Sequence, residues 1–358
     1  MKKRAVMLLL TGVLAAGMLT GCGTVKDSDV AVTVNGTDIT GDVANFYARY
    51  TQAQYETYYA GYMGEDMWTG EGQDGETYQD TVKESVRTSL ENMYLMEEHM
   101  DDYEIALTDE EKAAIEEAAG EFDAANGLTE KDQVSGSRDT VERVLELLTI
   151  QSKVQAAIEA QADTEVSDEE AAQKKMQYVV FAFSTTDEEG NTVDLTDEEK
   201  EELKTTAEAF AEGAAGASDF AAYATEQGQT SQDATFDAET TTLPTQLVEA
   251  ADALEEGGTT GLVEGDNGYY VARLTSLLDR EATDTKKQEI VSERQQQLVN
   301  DTIDGWREDA KIDVHEGVWK KIDFTTLTVT MKQEEASPYT DEVMTDDQAE
   351  EQGEDALE

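Results

Sequence analysis

The spacing of hydrophobic and polar positions changes several times along the chain, and each change marks an element. Val30-Ala31-Val32-Thr33-Val34 alternates, breaks at Asn35-Gly36 and resumes through Ile39 and Thr40, which predicts two short strands joined by a hairpin turn. From Gly41 the apolar spacing lengthens to three and four residues, placing Phe46, Tyr47, Tyr50, Tyr55, Tyr58, Tyr59 and Tyr62 on a helix that gives way to a Gly-rich loop from Gly61 to Gly75. A long helix is predicted from Thr77 to Tyr103, and Thr108-Asp109-Glu110-Glu111 has the form of a capping box that starts another. Arg138 to Gln161 carries a stripe of Val141, Val144, Leu145, Leu148, Val154 and Ile158. This half is helical.

Ser167-Asp168-Glu169-Glu170 predicts one further helix cap, after which the period drops to that of a strand at Met176 to Phe183. A helix capped by Thr196-Asp197-Glu198-Glu199 runs to about Ala215, and a short one spans Asp219 to Glu226. After a loop rich in Ser and Thr come a helix near Thr245 to Leu254 and a hairpin in which Asp266-Asn267-Gly268 joins Gly261-Leu262-Val263 to Tyr269 through Leu274. A last long helix, about Thr285 to Ala310, carries Val291, Leu298, Ile303 and Trp306 on one face, and Ile312 to Phe324 is expected to add a strand. Beyond Thr325 the chain turns acidic and patternless, which predicts a disordered tail over 325–358.

Charge narrows the choice of partners. The chain has 81 acidic and 26 basic residues, a net charge of −55. Such a chain is repelled by phosphate backbones and anionic headgroups, so nucleic acid is excluded as a partner. Cationic clients, and weakly associating divalent cations, are attracted.

The leader holds three of the basic residues: Lys2, Lys3 and Arg4 precede an apolar run, Ala5 to Met18, too short for a comfortable span. The run ends in Leu19-Thr20-Gly21-Cys22, which resembles the lipobox of bacterial lipoproteins. That resemblance implies a signal peptide over 1–21, a diacylglyceryl group on Cys22, a tether over 22–29 and attachment to the outer face of the bacterial membrane. Cys22 is the only cysteine, so the mature chain has no disulfide to draw on.

Two stretches resemble extracytoplasmic foldases of the PrsA and SurA type. Val30 to Thr40 is similar to the A-x-V-N-G-x-x-I-T opening of their amino-terminal chaperone region. Met176 to Leu274 resembles a parvulin prolyl-isomerase domain through its opening strand, the phrase Gly216 to Ala224, the helix Leu247 to Leu254 and the closing Asn267 to Leu274. The resemblance implies an α+β protein: a mainly helical chaperone domain built from 30–168 and 281–324, holding an inserted parvulin-like α/β domain over 169–280. It implies a lipid-anchored foldase acting on unfolded or partly folded secreted proteins, without a cofactor. Where an active parvulin carries a histidine in its first and closing strands, this chain has Tyr178 and Tyr270. Those two are the catalytic candidates, and Leu243, Leu247, Phe220 and Phe181 are the candidates for seating proline or client. By these departures the catalytic site looks degenerate, and a fully active prolyl isomerase is the alternative.

Other chemistry finds little support. His99 and His315 are the only histidines, which argues against a zinc site or a histidine-based triad, and no metal ligands are expected. No phosphate-binding glycine motif appears. The Tyr-rich first helix, with Met93, Met96 and Met100 on a later one, reads as core packing or else as an adaptable groove for unfolded chains. A solute-binding lipoprotein needs alternating strand and helix units that residues 41–161 do not offer, and a spacer or adhesin needs repeats that are absent.

Overall fold

The computed structural model describes residues 25–64, 66–72, 75–187 and 189–331. Residues 1–24, which include the expected signal peptide and Cys22, and the acidic stretch from 332 lie outside the described residues. The chain runs β1 (Val30–Val34), β2 (Thr37–Thr40), α1 (Gly41–Tyr58), α2 (Ala60–Met63), α3 (Tyr78–Glu98), α4 (Asp109–Ala125), α5 (Leu128–Val134) and α6 (Arg138–Glu159). It continues with β3 (Lys174–Ala182), β4 (Ser184–Thr186), β5 (Thr192–Asp194), α7 (Asp197–Gly216), α8 (Phe220–Glu226), β6 (Gln232–Phe236) and α9 (Thr245–Asp252). Then follow β7 (Val263–Gly265), β8 (Gly268–Ser276), α10 (Arg280–Asp309), β9 (Ile312–Val314) and α11 (Glu316–Trp319). Among the described residues no helix is long and apolar enough to cross a membrane. Two compact units form, one from Met1–Ala157 with Asp301–Glu358, the other from Ile158–Asn300.

The first unit joins both ends of the chain. β1 pairs antiparallel with β2, across a turn where Asn35 and Gly36 take φ of 49° and 88°, and on its other side with β9. Around this sheet pack the apolar stripes of α1, α3 and α6, with Phe46 meeting Phe122 of α4 edge-on at 5.4 Å. Met93 and Met96 are buried here, so on α3 the core-packing alternative holds. The returning chain is tied in by charge as well as by apolar contact. Glu91, 2% exposed, takes Arg307 at 2.8 Å and Arg87 at 3.5 Å, and Arg307 also donates to Asn92 at 2.7 Å.

Two expectations fail in this unit. Ile312 to Phe324 does not form one strand: β9 ends at Val314, and α11 follows. The tail does not begin at Thr325, because residues 325–331 are held on α1 by side chains one helical turn apart. Gln52 donates to the carbonyls of Phe324 and Leu327, at 3.0 and 2.6 Å, while Glu56 and Thr57 accept from the amides of Val329 and Met331. Leu327 and Val329 are buried.

In the second unit an antiparallel sheet of order β6-β3-β8-β7 is covered on both faces. Val179, Phe181, Tyr269 and Val271 pack with Phe210 of α7 and Phe220 of α8; Met176, Tyr270, Ala272 and Leu274 pack with Leu247 and Val248 of α9. Gly268 has to be glycine, since a Cβ there would lie 2.6 Å from the Phe181 carbonyl oxygen. The expected cap at Ser167 forms, with Glu170 N donating to its Oγ at 3.1 Å, yet no helix follows. The carboxylates of that turn serve α10 instead: Asp168 pairs with Arg280 and Lys287, and Glu170 with Arg294. These two cations hold the Asp168 carboxyl well below the usual carboxylate range. β6 stands where a loop was expected.

Candidate functional site

The two strands at the centre of the second sheet carry the tyrosines. Val180 lies opposite Tyr270 and Tyr178 opposite Ala272, so the period-two alternation of each strand puts Tyr178 and Tyr270 diagonally on one face. Their ring centroids are 6.3 Å apart with planes tilted by 35°. Tyr178 donates its hydroxyl proton to Gln232 Oε1 at 2.7 Å, and Gln232 is its register partner on β6. Tyr270 donates to Asn267 Oδ1 at 2.6 Å, in the turn that opens its own strand. Burial pushes the Tyr270 hydroxyl pKa up against the opposing bond to Asn267, so this group is neutral at physiological pH.

α9 lies over this face. Leu247 is fully buried against it and Leu243 is partly buried beside it, just before Pro244 leads into α9. Pro244 stands close to Gly265 and Tyr270: a Cβ on Gly265 would reach Tyr270 Cε2 at 3.0 Å and Pro244 Cβ at 3.3 Å. The face thus combines apolar side chains with two hydroxyls.

Four of the six side chains predicted for this site therefore come together: Tyr178, Tyr270, Leu243 and Leu247. Phe181 and Phe220 do not. Phe181 is an odd-numbered residue of β3 and points to the opposite face, where it meets Phe210 at 5.5 Å, and Phe210 meets Phe220 at 5.9 Å. Both belong to the core under α7 and α8. Gln232 and Asn267, which receive the two hydroxyl protons, were not among the predicted site residues: Gln232 is far from Tyr178 in sequence, and Asn267, three residues before Tyr270, reads only as part of the hairpin turn. A polar cavity of about 390 Å³, lined by Lys175, Thr235, Asp279 and Lys286 among others, shares no residue with the tyrosine pair. Among the described residues no three His, Cys, Asp or Glu side chains gather as metal ligands.

What this face can do is bind and polarise; it offers no nucleophile. Rotation about a prolyl amide forms and breaks no covalent bond to the protein, and the barrier is about 18–20 kcal/mol. An apolar seat and polar groups suited to the twisted amide are sufficient in kind.

The family model of the PPIC-type PPIASE domain matches residues 183–286. The chain carries a parvulin-type domain. The match takes in Leu243, Leu247, Asn267 and Tyr270 and begins just after β3, the strand that bears Tyr178. No curated protein matches. Among solved structures the chain is similar to a SurA-like chaperone of Campylobacter jejuni, at 14% identity over 80% of this chain and 100% of that one, with a TM-score of 0.28. It is also similar to the foldase PrsA of Streptococcus pneumoniae, at 17% identity over 71% and 97% with a TM-score of 0.28. For PrsA of Bacillus cereus the values are 20% identity, 71% and 95%, and 0.31.

Proposed function

We propose that the chain is an extracytoplasmic foldase, tethered through a lipid on Cys22, whose parvulin-type domain seats proline-containing segments and isomerises them slowly. The observation that carries this is the pairing of Tyr178 and Tyr270 over Leu243 and Leu247. Leu243, partly exposed beside the fully buried Leu247, suits a proline ring. The hydroxyls direct their protons to Gln232 and Asn267 and so present lone pairs, not protons, to a twisting amide. That gives some polarity at the reacting bond but little of the proton donation that stabilises developing charge. A helical unit built from both ends of the chain suits the holding of unfolded secreted segments near the membrane.

The test is prolyl cis/trans exchange measured by NMR on a short proline peptide. The wild type is expected to accelerate exchange measurably, and the Tyr178→Phe, Tyr270→Phe double variant to lose most of that acceleration. Exchange retained in full by the double variant would remove the tyrosines from the reaction. No exchange in the wild type would leave a domain that binds without isomerising. Tethering has its own readout: the Cys22→Ser chain is expected to lose incorporation of labelled fatty acid and to appear in the culture medium, and unchanged membrane association would refute the anchor.

A further inference from the structure

Among the described residues, four of the eight large hydrophobic side chains that stand exposed fall within one six-residue stretch: Tyr58, Tyr59, Tyr62 and Met63. Tyr62 is 93% exposed. Isolated apolar side chains on a surface need no explanation, but a contiguous patch does.

The patch is built on an aromatic base. Tyr55, one turn earlier on α1, meets Tyr59 at 5.5 Å, Trp68 at 5.9 Å and Tyr78 at 6.0 Å. Trp68 in turn stacks on Tyr78 and packs against Phe324 at 4.8 Å. Glu56 fixes the tryptophan by accepting its Nε1 proton at 2.8 Å. Tyr59 therefore extends outward from a partly buried and well-connected base, which a partner would not have to order.

Charge selects the partner. From Tyr50 to Val82 there is no Lys, Arg or His, while seven carboxylates occur: Glu56, Glu65, Asp66, Glu71, Asp74, Glu76 and Asp80. Arg49, just before, is buried. Exposed tyrosine faces on a stretch that carries carboxylates and no basic side chain attract cations twice, through ring quadrupoles and through Coulomb attraction. A second copy of this chain, at −55, and an anionic bilayer are both repelled by it.

We infer that the surface formed by Tyr58, Tyr59, Tyr62 and Met63 docks extended, unfolded segments rich in Lys and Arg, with guanidinium and ammonium groups lying on the tyrosine rings. This rests on the foldase reading and adds a site and a client chemistry to it. The site lies in the helical unit and uses none of the parvulin-type domain.

The test uses the full chain and two short unstructured peptides without proline, matched in apolar content, one carrying Arg and the other Asp, followed by fluorescence anisotropy. The Arg peptide is expected to bind at least about tenfold more tightly and to weaken as salt rises. The Tyr58→Ser, Tyr59→Ser, Tyr62→Ser variant is expected to lose that preference while its melting temperature holds. Glu71→Lys with Glu76→Lys, which keeps the rings, is expected to weaken the Arg peptide as well. Equal binding of the two peptides, or a triple variant that binds as the wild type does, would overturn the inference. So would self-association or binding to anionic vesicles that the triple variant abolishes. The parent reading is separated by aggregation of a denatured basic protein. Delay by wild type and triple variant alike would overturn this surface and keep the foldase; no delay by the wild type would remove the foldase, and peptide preference lost in the triple variant would still support the surface.

Discussion

Glu91→Ala is expected to destabilise the helical unit by about 3 kcal/mol, seen as a lower urea midpoint at unchanged slope. Trp68, Trp306 and Trp319 all lie in that unit, so their fluorescence reports it alone. The size of the effect comes from what one buried carboxylate does. It accepts from Arg307 of the returning α10 and stands 3.5 Å from Arg87 of its own helix, which in turn reaches Glu316, the first residue of α11. Its removal leaves two guanidiniums facing a space that has lost its only buried anion among the described residues. Breaking such a pair by deleting one partner costs about 3–5 kcal/mol, and the lower figure applies because both arginines keep part of their side chains in water. Glu91→Gln keeps the shape and one acceptor and is expected to lose less. A drop below about 1 kcal/mol for the alanine would mean that both cations relax into solvent, as exposed pairs do.

Much of the fold was legible because its signals are local. The boxes at Thr108 with Glu111 and at Thr196 with Glu199 both form, and the Asn35-Gly36 turn adopts the left-handed pair of conformations its sequence favours. The misses have non-local causes. β6 escaped notice because Gln232-Asp233-Ala234-Thr235-Phe236 is an edge strand turning only Ala234 and Phe236 inward, so its alternation is faint. Ser167 caps a turn, but the residues that would continue a helix are claimed by α10 and by the start of β3. At the candidate site, the resemblance located Tyr178 and Tyr270 and left open which face each neighbour takes. Phe181 shows why: three residues from Tyr178 on a strand is an odd step, and an odd step changes face.

The largest structural consequence of a missed element concerns residues 325–331. Truncation after Thr325 is expected to cost the helical unit at least about 2 kcal/mol, on the scale of a large buried side chain removed from a core. Deletion of Ser337 to Glu358 is expected to leave the melting temperature unchanged. The contrast follows from which groups lose partners. Without the strap, Leu327 and Val329 vacate their places against α1, and the fully buried amide of Gln52 keeps the Phe324 carbonyl but loses that of Leu327. Glu56 keeps Trp68 and loses the amide of Val329, so a carboxylate that had been shared becomes free to rotate away from the indole. The effect reaches the exposed tyrosines, because Trp68 is part of the aromatic base beneath them. Thus the shorter truncation product is expected to show red-shifted tryptophan emission and weaker capture of the Arg peptide, together with its lower midpoint. Equal melting of the two truncations would mean that α1 holds its aromatic ladder without the strap, and the tyrosine surface would then have to stand on α1, Trp68 and Tyr78 alone.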